Sequence, residues 1–317
     1  MKPNHTVAME TCAPLQPVIL VTGGYGLLGS HLVPLLVKNV PRAQIIVNTR
    51  NKKQCCLEQV ETIPGDLQDR KLWIKFPDTI THVFHLAAVI PWKAEDKNRA
   101  SLVTDNVLPL ANLIEQGRRW PNLQQIVYTS SVSVYAQTDQ RLTEDSLCRP
   151  ASLYGAAKLT GEQLLRNMDL ADVRTVSLRL SSLYAYGQYG GTVLPIMVGR
   201  ALAKQDIVIF GDGTRTQDFL HCEDAARALL LCFEKEAQGV YNVGTGTPVT
   251  MTELAQTASR VFSDGETKIA YEPTKADGDP GIKLDISKAR RELSYEPQVQ
   301  LEQGLRKLKQ EMESIKE

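Results

Sequence analysis

The stretch "VILVTGGYGLLGSHL", residues 18–32, constrains this chain more than any other. A β-branched apolar run passes directly into a glycine-rich turn and then into an amphipathic helix pattern. Gly24, Gly26 and Gly29 stand in the spacing Gly-x-Gly-x-x-Gly. The first lets the chain turn, the second lets the backbone approach a pyrophosphate, and the third lets the helix pack close to the strand. The helix N-terminus then faces the anion with unpaired N–H groups and a partial positive charge. Gly23, Tyr25, Leu27 and Leu28 complete the turn and join the expected contact set.

The rest of the chain suits such a turn. Short apolar strand patterns recur at 17–24, 44–50, 60–66 (weakly), 82–88, 125–131, 173–180 and 239–244. Helical patterns lie between them, at 30–40, 101–120 and 152–168. Pro34 belongs in the first turn of its helix or kinks it. Near-continuous apolar strands separated by helices imply an α/β fold, a Rossmann-type doubly wound parallel sheet with both faces covered. Beyond about residue 180 the pattern loosens into glycine-rich loops at 187–191, 211–213 and 244–246 and a polar stretch at 263–281. The expected organisation is a flexible leader over 1–16 and a dinucleotide-binding domain over 17–180 plus about 220–245. A smaller C-terminal substrate lobe takes about 181–219 and 246–317.

The second strand pattern tests which dinucleotide. A carboxylate about 20 residues past the last glycine would bind a ribose 2′-hydroxyl. At that place the chain reads Thr49-Arg50. A hydroxyl and a guanidinium attract a 2′-phosphate, which a carboxylate would repel. The expected cofactor is NAD(P), with NADP(H) favoured over NAD(H). Asp66, before Leu67 in "PGDLQD", either accepts from the adenine amine or makes an Asx turn.

Totals exclude other classes. Lys and Arg number 36, as do Asp and Glu, and this neutrality argues against a nucleic-acid partner. No apolar run approaches the ~20 residues of a membrane helix. The opening "MKPNHTVAMETCAPLQ" lacks a signal-peptide core, so a cytoplasmic location is expected. Cysteines at 12, 55, 56, 148, 222 and 232 form no Cys-x-x-Cys pair and read as reduced thiols. His31, His85 and His221 share no ligand-like spacing, so no metal is expected.

The chemistry rests on Tyr154-x-x-x-Lys158. On a helix these side chains share one face a turn apart. A cation beside a phenol favours the phenolate and makes an acid/base. Ser131, ending the strand pattern before this helix, can supply a third hydrogen-bonding group.

With these residues in place the chain resembles the extended short-chain dehydrogenase/reductase family, in its NAD(P)-dependent nucleotide-sugar epimerase/dehydratase group (UDP-glucose 4-epimerase-like). The matching elements run from residue 17 to about 307. They are "TGGYGLLGSHL", "GDLQD", "HLAA", Asn106, "TSSVSVY", "YGAAK", "LRLSSLY", "FGDGTRTQDFLHCEDAARA", "VYNVGTG" and "DISKARRELSYEP…LEQGL". The resemblance implies that Ser131, Tyr154 and Lys158 form the catalytic set. Tyr154 would move a hydroxyl proton while hydride passes between a sugar carbon and the nicotinamide. Lys158 would also hold the nicotinamide ribose, and Leu86, Ala87, Ala88 and Asn106 would join the cofactor contacts. A homodimer through helices around 97–118 and 152–168 is implied as well.

Departures from the family pattern bear on the substrate. Dehydratases of this kind carry Asp-Glu after the catalytic Ser/Thr; here stand Val132 and Ser133. That speaks against 4,6-dehydration, and Ser133 weakens the decarboxylase reading. The family's diphosphate-binding Asn is replaced by Ser182, and its diphosphate-binding Arg by Gln217. Arg215, Arg200 or Lys204 could supply the lost cation, or all three could be solvated surface charges. Trp92 either lines the substrate cleft or packs in a core or lid. Three readings follow. The first is a sugar-nucleotide epimerase, acting at C4. The second is an NADP(H)-dependent dehydrogenase or reductase of a sugar or small carbonyl compound lacking a diphosphate. The third is a non-catalytic dinucleotide sensor.

Overall fold

The computed structural model describes residues 16–50, 57, 59–91, 96–168, 170, 172–188, 191–275 and 281–314. Trp92, nearly all of the leader, and Cys12, Cys55 and Cys56 lie outside them. In chain order the first part runs β1 Val18–Thr22, α1 Gly29–Asn39, β2 Gln44–Thr49, β3 Val60–Pro64, α2 Arg70–Trp73, β4 His82–His85, α3 Ser101–Gly117, β5 Gln125–Ser131, α4 Leu153–Asn167 and β6 Arg174–Leu180. The second runs β7 Ser182–Tyr184, α5 Val193–Leu202, β8 Ile207–Phe210, β9 Thr216–Gln217, β10 Phe219–His221, α6 Cys222–Glu234, β11 Gly239–Val243, β12 Val249–Thr250, α7 Met251–Ser263, β13 Ile269–Glu272, α8 Ser287–Leu293 and α9 Leu301–Ser314.

Seven strands form one sheet in the order β11-β6-β5-β4-β1-β2-β3. Every pairing in it is parallel. From β1 the chain steps outward through β2 and β3, then returns to β4 on the other side and steps outward again. The strand order therefore reverses between β1 and β4, and the carboxyl ends at such a reversal leave a crevice for a ligand.

Side-chain alternation shows why both faces must be covered. In β1, Ile19 and Val21 enter one core, which takes in Leu32, Val33 and Leu36 of α1 and the buried residues of α6. Val18 and Leu20 enter the opposite core, with Trp73 of α2, Leu110 and Leu113 of α3, and Leu165 of α4. All five β1 residues are buried, as a central parallel strand requires. A third core gathers α5, α7 and α9 around Ile207, Ile209, Phe219 and Tyr184.

Some local expectations shift. The weak third strand is a full member of the sheet, with register Ile45↔Val60 to Thr49↔Pro64. Pro34 lies inside α1, past its first turn. The helix expected to 120 ends at Gly117. Among the described residues, no helix is long and apolar enough to cross a membrane, and Cys148, Cys222 and Cys232 are free thiols.

Candidate active site

The glycine turn opens the site, but its first glycine is not the expected one. Gly23, at φ +68°, makes the turn. A Cβ there would lie 2.9 Å from the Ala87 nitrogen. Gly24 has no left-handed φ; its hydrogen faces Val47, whose Cγ1 a Cβ would meet at 2.6 Å. The working spacing is therefore Gly23-x-x-Gly26-x-x-Gly29. Gly29 lets α1 start against the turn, since a Cβ there would lie 2.5 Å from the Gly23 oxygen. Gly26 closes the turn by donating its N–H to that same oxygen at 2.9 Å.

Above this turn lies a cavity of about 1370 Å³. Gly23, Tyr25, Gly26, Leu27, Leu28 and Gly29 line one wall, with Thr49, Arg50, Asp66, Leu67, Leu86, Ala87 and Ala88. Gly24 and Asn106 do not line it. Asn106 stands behind the wall, 2% exposed. Its amide donates to the Val89 and Leu102 carbonyls, at 3.0 and 2.8 Å, and accepts from the Val89 N–H at 3.0 Å. It thus fixes the loop that follows β4. Asp66 makes the Asx turn, accepting from the Gln68 N–H at 3.0 Å, and faces the cavity as well.

The same cavity continues past Ser131, Ser133, Tyr154, Lys158, Ser182, Arg215 and Gln217. Local structure places them. Ser152 caps α4 by accepting from the Gly155 N–H at 3.0 Å, so Tyr154 stands in the first turn and Lys158 one turn on. Gly155 lets this end of α4 press on the turn after β5; a Cβ would lie only 2.2 Å from the Ser133 oxygen. That turn, Val132–Val134, is capped by Ser131, whose Oγ accepts from the Ser133 N–H and donates to Ser133 Oγ, both at 3.1 Å.

Lys158 is 2% exposed. Its Nζ donates to the Thr129 carbonyl at 2.7 Å and sits 4.8 Å from the Tyr128 ring centre and 5.7 Å from that of Tyr154. Burial brings Lys158 down to about 7, against an upward pull from Glu162. Desolvation pushes the Tyr154 phenol well above its ordinary value. A lowered Tyr154 was the sequence expectation; in the folded chain desolvation outweighs the neighbouring amine. Such a pair passes its proton to and fro most readily when a third group stabilises the oxygen, a role open to Ser131.

His85, at the end of β4, is buried and brought down to about 3, first by desolvation and then by Lys158. Its Nδ1 bonds Thr22 Oγ at 3.0 Å. His221 caps α6, its Nδ1 accepting from the Glu223 N–H at 3.3 Å, and His31 meets its ring edge-on at 5.9 Å. These are structural uses of imidazole, and no metal-holding cluster occurs among the described residues.

At the far end Gln217 Nε2 donates to Ser182 Oγ at 2.5 Å. Between Gln217 and Phe219 lies Asp218, fully buried, which accepts from Ser181 Oγ and the Thr245 and Gly246 N–H groups, each at 2.9 Å. This carboxylate ties three loops together and aims its two neighbours at the cavity. Arg215 lines the cavity beside them, its Nη1 3.7 Å from Met251 Sδ. Arg200 instead donates to the Asp206 carbonyl and Lys204 pairs with Glu266; neither lines the cavity. Sequence reasoning missed Asn48, Gln68, Thr129, Gln137, Gln188 and Thr192, which also line it. Gln68 stands inside the quoted "GDLQD" and Thr129 opens the quoted "TSSVSVY"; the others carry no signal short of the fold.

Known proteins resemble the chain over nearly its whole length. The model of the NAD dependent epimerase/dehydratase family matches residues 19–244. A Methanocaldococcus jannaschii protein provisionally named a UDP-glucose 4-epimerase is 30% identical over 302 residues, covering 92% of this chain and 97% of that protein. UDP-glucuronic acid decarboxylase 1 of Arabidopsis thaliana is 28% identical over 304 residues, covering 90% of this chain and 68% of the plant protein. The crystal structure of Thermotoga maritima UDP-glucose 4-epimerase with UDP-glucose superposes with a TM-score of 0.82 at 26% identity, covering 95% of this chain and all of the other.

Proposed function

This chain belongs to the NAD dependent epimerase/dehydratase family, and we propose that it is a sugar-nucleotide epimerase acting at C4 of the sugar. One observation carries the reading. Ser131, Tyr154 and Lys158 face the same cavity as the glycine turn, while Val132 and Ser133 offer no carboxylate beside them. Bound there, an oxidised nicotinamide cofactor would take up the hydride from the sugar carbon and give it back to the other face. Tyr154 takes the proton of the sugar hydroxyl and returns it after the ketone has turned its other face. Ser131 donates to the reacting oxygen, and Lys158 holds the cofactor ribose and favours the Tyr154 phenolate. Eliminating water needs a further acid/base, so a neutral wall at 132–133 speaks against dehydration and favours reversible oxidation.

The cofactor assignment extends to NADP(H). Thr49 and Arg50 line the cavity where a ribose carboxylate would otherwise stand, and a guanidinium pairs with a 2′-phosphate. The sheet domain, 17–180 with about 220–245, would hold this cofactor, and the remaining lobe the substrate. Two chains would join through α3 and α4, whose outer faces border a groove beside the exposed Ile74. Free thiols at 148, 222 and 232 fit a reducing, cytoplasmic setting.

A second reading has a specific observation behind it. Ser182 and Gln217 share one hydrogen bond and bring no cation to this wall, which favours a redox enzyme for a substrate without a diphosphate. The test is incubation with UDP-hexoses and either cofactor. Interconversion of 4-epimers without net change in the reduced cofactor supports the epimerase. Steady NADPH consumption with a carbonyl substrate, and no epimer formed, overturns it in favour of the second reading.

A further inference from the structure

We infer that Glu162, which does not line the cavity, is a positioning residue that sets the Tyr154–Lys158 face of α4 against Ser131. The inference rests on the reading of Tyr154 and Lys158 as the acid/base pair. Residues 154, 158 and 162 follow at i, i+4 and i+8, so all three lie along one face of α4.

Glu162 is 5% exposed. It accepts from Ser130 Oγ at 2.5 Å and from Arg179 Nε and Nη2 at 3.0 and 2.8 Å. Ser130 is the residue before Ser131 on β5. Arg179, on β6, is 5% exposed and donates also to the Tyr135 hydroxyl and the Glu144 carbonyl, both at 2.9 Å. Tyr135 in turn donates to Asn242 of β11 at 2.6 Å. One carboxylate thus joins the helix that carries the acid/base to the strand that carries Ser131, through short directional bonds.

Stability alone does not explain such a pair. Desolvating two charges costs several kcal/mol each, and apolar side chains of similar volume often serve a fold as well or better. Precision explains it. Apolar packing tolerates small slides of a helix, whereas a forked guanidinium–carboxylate contact with a hydroxyl on the remaining lone pair fixes both height and rotation. The charge matters too. The groups around buried Lys158 are Tyr154 and Glu162 from α4, Tyr128 and the Thr129 carbonyl from β5 and His85 from β4, with Arg179 of β6 paired to Glu162. Among them Glu162 supplies the negative charge that pulls Lys158 upward against burial.

Two variants test the inference. In Glu162→Leu/Arg179→Met the pair becomes apolar, so no charge is stranded. Its melting temperature should stay within a few degrees of wild type and reduced-cofactor affinity within about threefold, while kcat drops about tenfold or more at little-changed KM. In Glu162→Gln the Lys158 titration, followed by NMR of 13Cε-labelled lysine and assigned by its loss in Lys158→Met, should move down by about one unit from its midpoint near 7. Wild-type kcat in the apolar variant, or an unmoved Lys158 midpoint in Glu162→Gln, overturns the inference. If Glu162→Gln does not fold, kcat of the apolar variant decides. If wild-type protein turns over no nucleotide sugar, the proposed function fails on that result, and the Lys158 midpoint still tests Glu162.

Discussion

Arg215→Ala and Gln217→Arg together decide how the substrate's far end is held. Arg215 is partly buried in the cavity wall, and its backbone carbonyl accepts from the Met251 N–H at 3.0 Å, a bond that alanine keeps. Truncation removes the guanidinium together with its side-chain contacts, that to Met251 Sδ among them, and keeps this backbone bond. A hydrogen bond to a charged group contributes about 1.5–3 kcal/mol, which is roughly 10- to 150-fold in affinity. If Arg215 grips a diphosphate, UDP binding should weaken by that factor in Arg215→Ala, and the loss should shrink at 0.5 M salt. Gln217→Arg works in the opposite direction. It gives up the 2.5 Å bond to Ser182, at a cost of about 1 kcal/mol, and adds a forked cation facing the cavity. The net gain for UDP should be about tenfold. Titration calorimetry with UDP, at low and high salt, reads both variants, with melting temperature as the control for folding. Indifference of UDP binding to both changes would refute the diphosphate reading. Tight wild-type UDP binding, weakened by Arg215→Ala, would remove the case for a substrate without phosphate.

Other consequences are checked more briefly. Gly23→Ala forces a side chain into φ +68° and against the Ala87 nitrogen, so cofactor affinity should fall about tenfold or more. Gly24→Ala presses only on Val47, which should lower the melting temperature, an overpacking cost of about 1–3 kcal/mol, and leave cofactor affinity nearly intact. Arg50→Ala should reduce the preference for NADP over NAD by about tenfold, and Thr49→Asp should reverse it; equal Michaelis ratios in wild type and both variants would sink the assignment. Acid should destabilise the fold before any carboxylate titrates. His82 and His221 are brought down to about 4 and His85 to about 3, chiefly by desolvation. Below pH ~6.5 the unfolded chain takes protons that the folded chain refuses, so stability is present above that pH and is lost on the way down to about 3. His85 alone should contribute about 3 kcal/mol of loss by pH 4. Urea midpoints measured between pH 7 and 4.5 should show a steep fall, which His85→Asn reduces by about one proton.

Much of the fold was legible because period and punctuation agreed. A β-branched run, a glycine turn and an amphipathic helix allow one arrangement, and the alternation that sends Ile19 and Leu20 to opposite cores is written in the residues themselves. What escaped was whatever depended on three dimensions. Gly23 and Gly24 are adjacent and chemically identical, and only the approach of Ala87 to one and Val47 to the other assigns the turn. Asn106 engages Val89 and Leu102 through its amide, a loop contact that no spacing reveals. The sign of the Tyr154 shift was missed for a related reason. Helical spacing announces the cation one turn away but says nothing about desolvation, the larger influence on the phenol.

The two departures at 182 and 217 gain their meaning from the same source. In sequence they are separate losses, an amide and a guanidinium, 35 residues apart. In the fold they meet, because β7 and β10 pair as Ser182↔Phe219 and Asp218 anchors the intervening corner to Ser181, Thr245 and Gly246. A glutamine whose amide NH2 bonds a serine brings no charge to this wall and leaves its Oε1 unpartnered, whereas an arginine at the same place would bring a cation that needs an anion. The pair therefore keeps the wall intact while lowering its positive charge, and the anion, where there is one, must come to Arg215 two residues earlier. Because Asp218 holds the corner independently of its neighbours' charge, Gln217→Arg can be made without dismantling the site, and the variant compares two electrostatic designs on one scaffold.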